Sequence, residues 1–101
     1  MRVLLFFDLP MNTPSEKREY VRFRKHLLKH GFFMMQQSVY CKLVLNMAVA
    51  KSVVNTLHNN TPDTGLIQIL IITEKQYEKM ILLLGKFETE VLNTDQRLVI
   101  L

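Results

Sequence analysis

Asp8 is the acidic residue whose setting in this chain could most directly support chemistry. It follows an unbroken apolar run at residues 3–7 and precedes Leu9 and Pro10. A short run without alternation predicts a strand buried on both faces, and Pro10 cannot continue its ladder. An ionised carboxylate at the edge of such a strand costs free energy unless a cation or a hydrogen-bond donor meets it. Asp8 is therefore either a residue that caps the backbone or a functional acid.

A second candidate is a set of basic side chains on the helix that is predicted to follow Asp8. At about 100° per residue, these cations fall opposite an apolar arc of the same helix. A basic helix face is often only solvated, but no acidic residue is interleaved on this one. Such cations would bind phosphates rather than base edges, so binding should be insensitive to sequence and should weaken with salt. The apolar arc consists of Tyr20, Val21, Phe23, Leu27 and Leu28. The predicted nucleic-acid-binding residues are Arg18, Arg22, Lys25 and Lys29, with Lys17 beside them.

For the remaining polar candidates, a structural role explains the sequence at least as well as a functional one. His26 and His30 are one helical turn apart, a spacing that can bind zinc, but the sequence indicates no third ligand. Cys41 has no cationic or histidine neighbour in sequence that would activate it, which favours a small buried side chain over a nucleophile. Arg24 lies within the apolar arc, so its guanidinium must reach solvent or pair with a carboxylate or an anionic ligand.

Local signals place the helices that carry these residues. Thr13, Pro14 and Glu16 form the pattern of a capping box with proline at the first helical position, and Gly31 is the predicted stop. A second helix is predicted at residues 46–59, with Asn46 as its N-cap, and a short helical piece at residues 74–79. The predicted core-facing residues of the second helix are Val49, Val53, Val54 and Leu57.

Extended segments surround the helices and define the fold class. Residues 32–43 predict two short strands joined at residues 36–38, and residues 65–73 predict a strand buried on both sides. Further strands are predicted at residues 81–85 and 97–101. The resulting order predicts an α+β, ferredoxin-like (split βαβ) fold, in which an antiparallel sheet carries two helices on one face and extra C-terminal strands.

Length and composition constrain assembly and location. A chain of 101 residues predicts one domain over residues 1–101. Because 49% of the residues are hydrophobic and only 22% are charged, we expect a homo-oligomer that hides part of the apolar surface. The last strand would otherwise leave an exposed edge, so residues 87–101 are predicted to be a C-terminal extension that pairs with the partner protomer.

Charge and cysteine content narrow the partners further. Thirteen Lys and Arg against nine Asp and Glu give a net charge of +4, which suits an anionic partner. Cys41 is the only cysteine, so an intrachain disulfide is excluded and a cytoplasmic location is expected. The apolar run before Asp8 is too short for a secretion signal or a membrane span, and no membrane partner is expected.

Five short motifs occur in order along the chain. They are Phe7-Asp8-Leu9-Pro10, the basic helix segment at residues 16–27, Gly31-Phe32, Gln37-Ser38-Val39-Tyr40 and Thr73-Glu74-Lys75-Gln76-Tyr77. No single motif is long, but the ordered set resembles the CRISPR-associated protein two family, and most closely its variant from type II systems. The likeness covers nearly the whole chain and is weakest at residues 46–64 and after residue 87.

The resemblance implies an assembly and an activity. The family is the small subunit of the spacer-acquisition complex, a ferredoxin-like homodimer that lies between two dimers of the integrase subunit and spans double-stranded DNA. It also implies a magnesium-dependent nuclease activity attributed to the aspartate that ends the first strand, which here is Asp8. Asp8 is therefore the predicted catalytic residue and the predicted Mg²⁺ ligand.

The residues themselves are compatible with that implication only in a dimer. Mg²⁺ keeps several waters and needs one or two carboxylates besides phosphate oxygens, so two copies of Asp8 across a dimer axis would be enough. Two functions remain open: a non-catalytic subunit that binds double-stranded DNA and bridges integrase dimers, which we favour, and a metal-dependent endoribonuclease, including a toxin-like enzyme that cleaves mRNA. A domain that only oligomerises or senses a small molecule is a third interpretation.

Overall fold

The computed structural model describes residues 1–85, and this part of the chain contains four strands and three helices. The elements in order are β1 (Arg2–Asp8), α1 (Pro14–Lys29), β2 (Phe33–Gln36), β3 (Val39–Leu43), α2 (Met47–His58), β4 (Leu66–Ile72) and α3 (Glu74–Glu78). The extension predicted at residues 87–101, its strand at 97–101 and its pairing with a partner lie outside the described residues. Those expectations stay predictions.

The four strands form one antiparallel sheet in the order β2-β3-β1-β4. The central strand β1 pairs with β3 from Arg2 to Phe6 and with β4 along its whole length. Because β3 lies between β1 and β2, and β1 lies between β3 and β4, α1 and α2 each connect strands that are not neighbours. This is the split βαβ arrangement, and the predicted α+β, ferredoxin-like fold class is confirmed.

Both long helices begin at the predicted caps. Thr13 Oγ1 accepts a hydrogen bond from Glu16 N at 3.1 Å, and Glu16 Oε1 accepts one from Thr13 N at 3.1 Å, which completes the capping box of α1. Asn46 Oδ1 accepts from Val49 N at 3.0 Å at the start of α2. The prediction that residues 32–43 form two short strands is also confirmed, since they contain β2 and β3.

The core lies between one face of the sheet and helices α1 and α2. Alternate residues of β1 point to this face because successive side chains of a strand lie on opposite sides. The buried cluster contains Val3, Leu5 and Phe7 of β1, Phe23 and Leu27 of α1, Tyr40 of β3, and Ala50 and Leu57 of α2. The opposite side, here called the outer face, carries Arg2, Leu4, Phe6 and Asp8 of β1 with their ladder neighbours on β3 and β4.

The outer face is less covered than the sequence predicts. Leu4 of β1 is buried, as expected for a central strand, but Leu66 and Leu70 of β4 are each 53% exposed. The prediction that β4 is buried on both sides is therefore wrong. Residues 1–85 place no complete layer over the outer face, so only the middle of the sheet is buried on both sides.

Residues 81–85 do not form the predicted strand. Leu83 and Leu84 are each 92% exposed, and this segment pairs with none of the described strands. An apolar run becomes a strand only where a neighbour supplies its backbone hydrogen bonds, and residues 1–85 supply none here. The prediction of a strand at residues 81–85 is therefore wrong.

The helices contact the sheet along narrower strips than the sequence predicts. In α1, Val21 and Leu28 belong to the predicted apolar arc but are exposed. In α2, Ala50 is buried and Val49 is exposed, which reverses the expectation for Val49. Consecutive helix residues are about 100° apart, so Val49 lies to the side of the contact when Ala50 faces the core.

Candidate functional site

The backbone around Asp8 is held from both sides of β1. Asp8 is opposite Leu66 in the ladder with β4. On the other side, Phe7 N donates a hydrogen bond of 3.1 Å to the carbonyl oxygen of Ser38, which lies in the turn between β2 and β3. Ser38 has a φ of 68°, so this turn uses the left-handed region of the backbone. The end of β1, the Ser38 turn and the start of β4 therefore meet at Asp8.

Gly65 fixes the approach of β4 to Asp8. Its φ is +113°, a conformation that side chains rarely adopt. A Cβ atom built on Gly65 would lie 3.0 Å from the carbonyl oxygen of Asp8 and 2.6 Å from Cδ2 of Leu9. The two segments are thus packed at a distance that only glycine permits without movement.

The Asp8 side chain itself is exposed and uncommitted. It lies at the rim of a shallow depression of about 210 Å³, whose walls include Phe6, Val39 and Gln68. Within residues 1–85 its carboxylate accepts no hydrogen bond and forms no ion pair. The capping interpretation of Asp8 therefore finds no support in the described part of the chain, and the carboxylate is available to an external ligand.

One copy of the described chain does not provide a complete metal site. No cluster of three or more His, Cys, Asp or Glu residues occurs among residues 1–85. A single exposed carboxylate fits Mg²⁺ only if further oxygen ligands come from another molecule, such as a phosphate or a second Asp8. The described residues of one chain therefore do not build a magnesium site by themselves, and the missing oxygen ligands would have to come from another molecule.

One of the basic residues of α1 is neutralised by an ion pair within the protein. Arg22 donates to Glu19 Oε1 through Nη2 at 2.9 Å, and the same nitrogen donates to the carbonyl oxygen of Asn60 at 3.2 Å. No acidic residue is interleaved with these cations, as the sequence indicates, but Glu19 beside their arc neutralises Arg22. Within the described chain no hydrogen bond or ion pair engages Arg18, Lys25 or Lys29, here called the basic ridge.

Lys17 and Arg24 lie on a different side of α1 from the basic ridge. Consecutive residues of a helix are separated by about 100°, so Lys17 is rotated away from Arg18, whereas Arg24 lies two turns beyond Lys17 on the same side. Arg24 Nε donates a hydrogen bond of 3.0 Å to the hydroxyl oxygen of Tyr40. Sequence analysis left Arg24 without a role, and its partner could not be identified because Tyr40 belongs to another element.

At the other end of β1, Arg2 forms a cluster on the outer face. Its Nε lies 3.1 and 3.0 Å from the two carboxylate oxygens of Glu74, and its guanidinium carbon lies 3.8 Å from the centre of the Tyr77 ring. Nη1 also contacts Cys41 Sγ at 3.7 Å. The cluster attaches α3 to the sheet. Sequence analysis missed it, since Arg2 and Glu74 are 72 residues apart.

The contacts of the cluster shift the pKa of Glu74 and the pKa of Cys41. The hydrogen bond from Arg2 is the main reason that the pKa of Glu74 is lowered. Burial raises the pKa of the Cys41 thiol, and the nearby Arg2 only partly opposes that shift. A buried thiol with a raised pKa is a poor nucleophile, in agreement with the structural interpretation of Cys41.

The histidine pair on α1 does not form a metal site in the described chain. The two rings are 4.1 Å apart, and His30 Nδ1 forms a hydrogen bond with the carbonyl oxygen of His26. Burial lowers the pKa of His26, and the positive charges of His30, Arg22 and Lys29 lower it further. With no third ligand in any cluster of residues 1–85, the pair fits a structural role.

None of the helices in residues 1–85 combines the length and the hydrophobicity that a membrane crossing requires.

Sequence comparison relates the chain to a set of named proteins. A family model described as CRISPR associated protein Cas2 matches residues 1–80. A protein of Treponema denticola named CRISPR-associated endoribonuclease Cas2 is 52% identical over 101 residues, which span the whole of both chains. A protein of Streptococcus mutans with the same name is 46% identical over 101 residues, covering all of this chain and 93% of its own length.

Structural comparison agrees at the level of the fold. The crystal structure of Streptococcus pyogenes Cas2 at pH 6.5 superimposes with a TM-score of 0.62 over 82% of this chain and 99% of that chain. The two sequences are 20% identical in this comparison, so the likeness concerns the ferredoxin-like fold alone.

Proposed function

The chain belongs to the Cas2 family of CRISPR-associated proteins, and from this premise we propose that it is a DNA-binding subunit of spacer acquisition. In this proposal the protein forms a homodimer, binds double-stranded DNA and bridges two dimers of the integrase subunit. The phosphates of the duplex lie against α1 of each protomer. No base-specific contact is needed for this role.

The observation that carries the proposal is the uncommitted basic ridge. Arg18, Lys25 and Lys29 are exposed on one side of α1 and have no acidic partner within residues 1–85. A net charge of +4 per chain adds a long-range attraction for polyanions. A row of unneutralised cations on a rigid helix is suited to contact the regularly spaced phosphates of a duplex.

The apolar outer face supports the homodimer. Phe33, Leu43, Leu66 and Leu70 are exposed large hydrophobic residues on this face. An apolar surface of this kind is typical of an interaction site, and a second copy is the partner that also supplies a second Asp8. We further propose that residues 87–101 pair with the partner protomer, for which the exposed edge of β4 offers unpaired backbone groups.

A second candidate function is metal-dependent cleavage of RNA or DNA at Asp8. It is favoured by the uncommitted carboxylate at the end of β1 and by the word endoribonuclease in the names of the relatives. The two Asp8 carboxylates of a dimer would hold Mg²⁺, which when bound lowers the pKa of a coordinated water and offsets charge on the scissile phosphate. Asp8 then acts as a ligand and not as a general base.

Duplex binding by the basic ridge can be tested with a charge-removing variant. We expect Arg18→Gln/Lys25→Gln/Lys29→Gln to bind a short DNA duplex more weakly, with the slope of log K against log salt reduced by about 0.9 for each lost phosphate contact. The matched control is Lys51→Gln/Lys75→Gln/Lys79→Gln, which removes the same charge from exposed positions on α2 and at α3. Equal losses in both triple variants, or no loss in the first, would contradict the proposal.

The two candidate functions are separated by Asp8→Asn. If DNA bridging is the main role, this variant should still support spacer acquisition with its integrase partner, while any metal-dependent cleavage is lost. Failure of acquisition by a folded, dimeric Asp8→Asn protein would show that the carboxylate is needed for more than architecture.

A further inference from the structure

Arg24 differs from the other basic residues of α1 because it is an exposed residue whose guanidinium is also held by the sheet. Its Nε donates to the Tyr40 hydroxyl oxygen at 3.0 Å. Tyr40 is 1% exposed, lies opposite Leu5 in the central ladder and stacks on Phe7 with 5.7 Å between ring centres. The anchor of Arg24 is therefore one of the most rigid groups of the core.

This hydrogen bond leaves the terminal nitrogens of Arg24 available. A guanidinium has separate N–H groups on Nε, Nη1 and Nη2, and Tyr40 engages only Nε. Within residues 1–85, Arg24 has no acidic partner. Because binding usually costs the rotamer freedom of a long side chain, an arginine that is already oriented loses less entropy when it contacts a phosphate.

Arg22 provides the contrast within the same helix. It is the residue that the helical pattern places among the cations, yet Glu19 and the Asn60 carbonyl occupy its guanidinium. Its charge is neutralised on the protein surface, whereas the charge of Arg24 is not. From the angular positions, Arg22 and not Arg24 is predicted to contact a nucleic acid. The contacts of the two side chains favour the opposite assignment.

We propose that Arg24, oriented by Tyr40, is a phosphate-contacting residue of the nucleic-acid surface of α1, and that Arg22 is not. This inference rests on the proposed binding of duplex DNA. Lys17 lies on the same side of the helix two turns earlier, so Arg24 and Lys17 form a second basic row, separated from the ridge of Arg18, Lys25 and Lys29 by exposed apolar side chains. A phosphate backbone that crosses α1 can contact both rows.

The test compares Arg24→Gln with Arg22→Gln in the full chain, using fluorescence titration of a short DNA duplex at several salt concentrations. Both variants remove one formal charge from the same helix. We expect Arg24→Gln to weaken binding about tenfold at low salt and to reduce the salt slope by about 0.9 per contact. Arg22→Gln should change both quantities less than half as much. A loss in Arg22→Gln that equals or exceeds the loss in Arg24→Gln would overturn the inference.

Two conservative variants test the role of Tyr40. Tyr40→Phe keeps the ring and the charge of Arg24 but removes the anchoring hydroxyl, so we expect affinity to fall about two- to fivefold at an unchanged salt slope. Arg24→Lys should restore the slope and only part of the affinity, because lysine cannot form the same hydrogen bond while reaching a phosphate with a planar fork. An unchanged affinity in Tyr40→Phe, or full rescue by Arg24→Lys, would remove Tyr40 from the site.

Folding and the larger proposal are checked in the same experiment. Thermal unfolding and size-exclusion chromatography of each variant identify any loss of structure, and if Tyr40→Phe does not fold, the comparison of Arg24→Gln, Arg24→Lys and Arg22→Gln still decides the matter. If the unmodified protein does not bind duplex DNA at low salt, the proposed function fails. If it binds and Arg24→Gln binds equally well, only the role of Arg24 fails.

Discussion

The two ends of β1 place opposite charges on the same face of the sheet, but residues 1–85 neutralise only one of them. At the first end, Arg2 is 12% exposed and is engaged by Glu74, Tyr77 and Cys41. At the other end, the Asp8 carboxylate is exposed and has no partner in the described chain. A charge that the protein satisfies internally contributes to folding, whereas one left unsatisfied is a candidate for function.

The backbone of β1 is held at both ends, and Arg2 itself is paired with Leu43 of β3 and with Ile72 of β4. The strand end at Asp8 is held by the β4 ladder, by the hydrogen bond from Phe7 to Ser38 and by the close approach of Gly65. Beyond the Arg2 end, α3 is a five-residue helix with no buried residue, attached mainly through side chains. The Asp8 end therefore combines a rigid backbone with a free side chain, which is the arrangement expected of a preorganised ligand for an external group.

The largest effect should come from removing the Asp8 charge. We expect Asp8→Asn to reduce metal-dependent cleavage of RNA or DNA by at least about 100-fold, because a lost metal ligand should cost no less than a lost outer-shell partner. The free energy of unfolding should change by less than about 0.5 kcal/mol, since the side chain is exposed and unpaired. Cleavage assays with and without Mg²⁺ and chemical denaturation measure the two quantities. Asp63→Asn, at an exposed loop position, is the matched control.

A large loss of stability in Asp8→Asn would show that this carboxylate has a structural partner, and the contrast between the two strand ends would disappear. Cleavage that persists in Asp8→Asn at the level of the Asp63→Asn control would remove Asp8 from the catalytic site.

The next effect concerns the rigid backbone at the Asp8 end. Gly65→Ala should lower the free energy of unfolding by about 2 kcal/mol, because it places a side chain at a φ of +113° and against Asp8 and Leu9. Gly85→Ala is the matched control: Gly85 also has a positive φ, but a Cβ there would meet nothing within 4 Å. Urea denaturation of both variants measures the difference. Equal, small losses would mean that β4 is not held closely against Asp8.

Sequence analysis predicted those features that depend on neighbouring residues. The capping box of Thr13 and Glu16, the N-cap at Asn46 and the turn between β2 and β3 are each encoded within a few positions, and all are confirmed. The position of Asp8 at the end of a strand is confirmed for the same reason. Such features can be predicted because a few consecutive residues encode them.

Features that depend on distant residues could not be predicted. The pairing of Arg2 with Glu74 requires β1, β4 and α3 to be in place, and the contact between Arg24 and Tyr40 requires the helix to be docked on the sheet. Residues 81–85 are a case in which a predicted element is missing. Their apolar composition predicts a strand, but the described chain gives them no ladder partner. In all three cases the outcome depends on how elements that are distant in sequence pack together.

A smaller effect on stability is expected at the Arg2 end of β1, where the charge is neutralised within the described chain. Arg2→Gln removes the cation that holds Glu74 and the contact with Tyr77, so we expect a loss of about 1–2 kcal/mol in the free energy of unfolding. The loss stays moderate because the Glu74 side chain is 43% exposed and can be rehydrated. Duplex affinity should remain within about twofold of the unmodified protein, allowing for the loss of one remote charge. Lys75→Gln, in the same short helix, is the control that removes a charge without removing the pair.

The smallest effect is the pH dependence of the free energy of unfolding that comes from Glu74, the partner of Arg2. Its pKa is lowered in the folded protein, chiefly by the hydrogen bond from Arg2, so on acidification the unfolded state takes up a proton before the folded state does. The stabilisation is therefore complete above the ordinary pKa of a glutamate and is lost as the pH falls through the lowered one. Because Glu74 is partly exposed, the contribution should be under about 1 kcal/mol. Denaturation of the protein and of Glu74→Gln at neutral and at acidic pH should show a stability difference that vanishes in acid. The pKa of His26 is also lowered, so its contribution to stability is also lost as the pH falls, over a higher pH range than that of Glu74. This change is common to both proteins and cancels in the difference. A difference that persists unchanged in acid would mean that Arg2 and Glu74 are not paired, and the two ends of β1 would then be equally uncommitted.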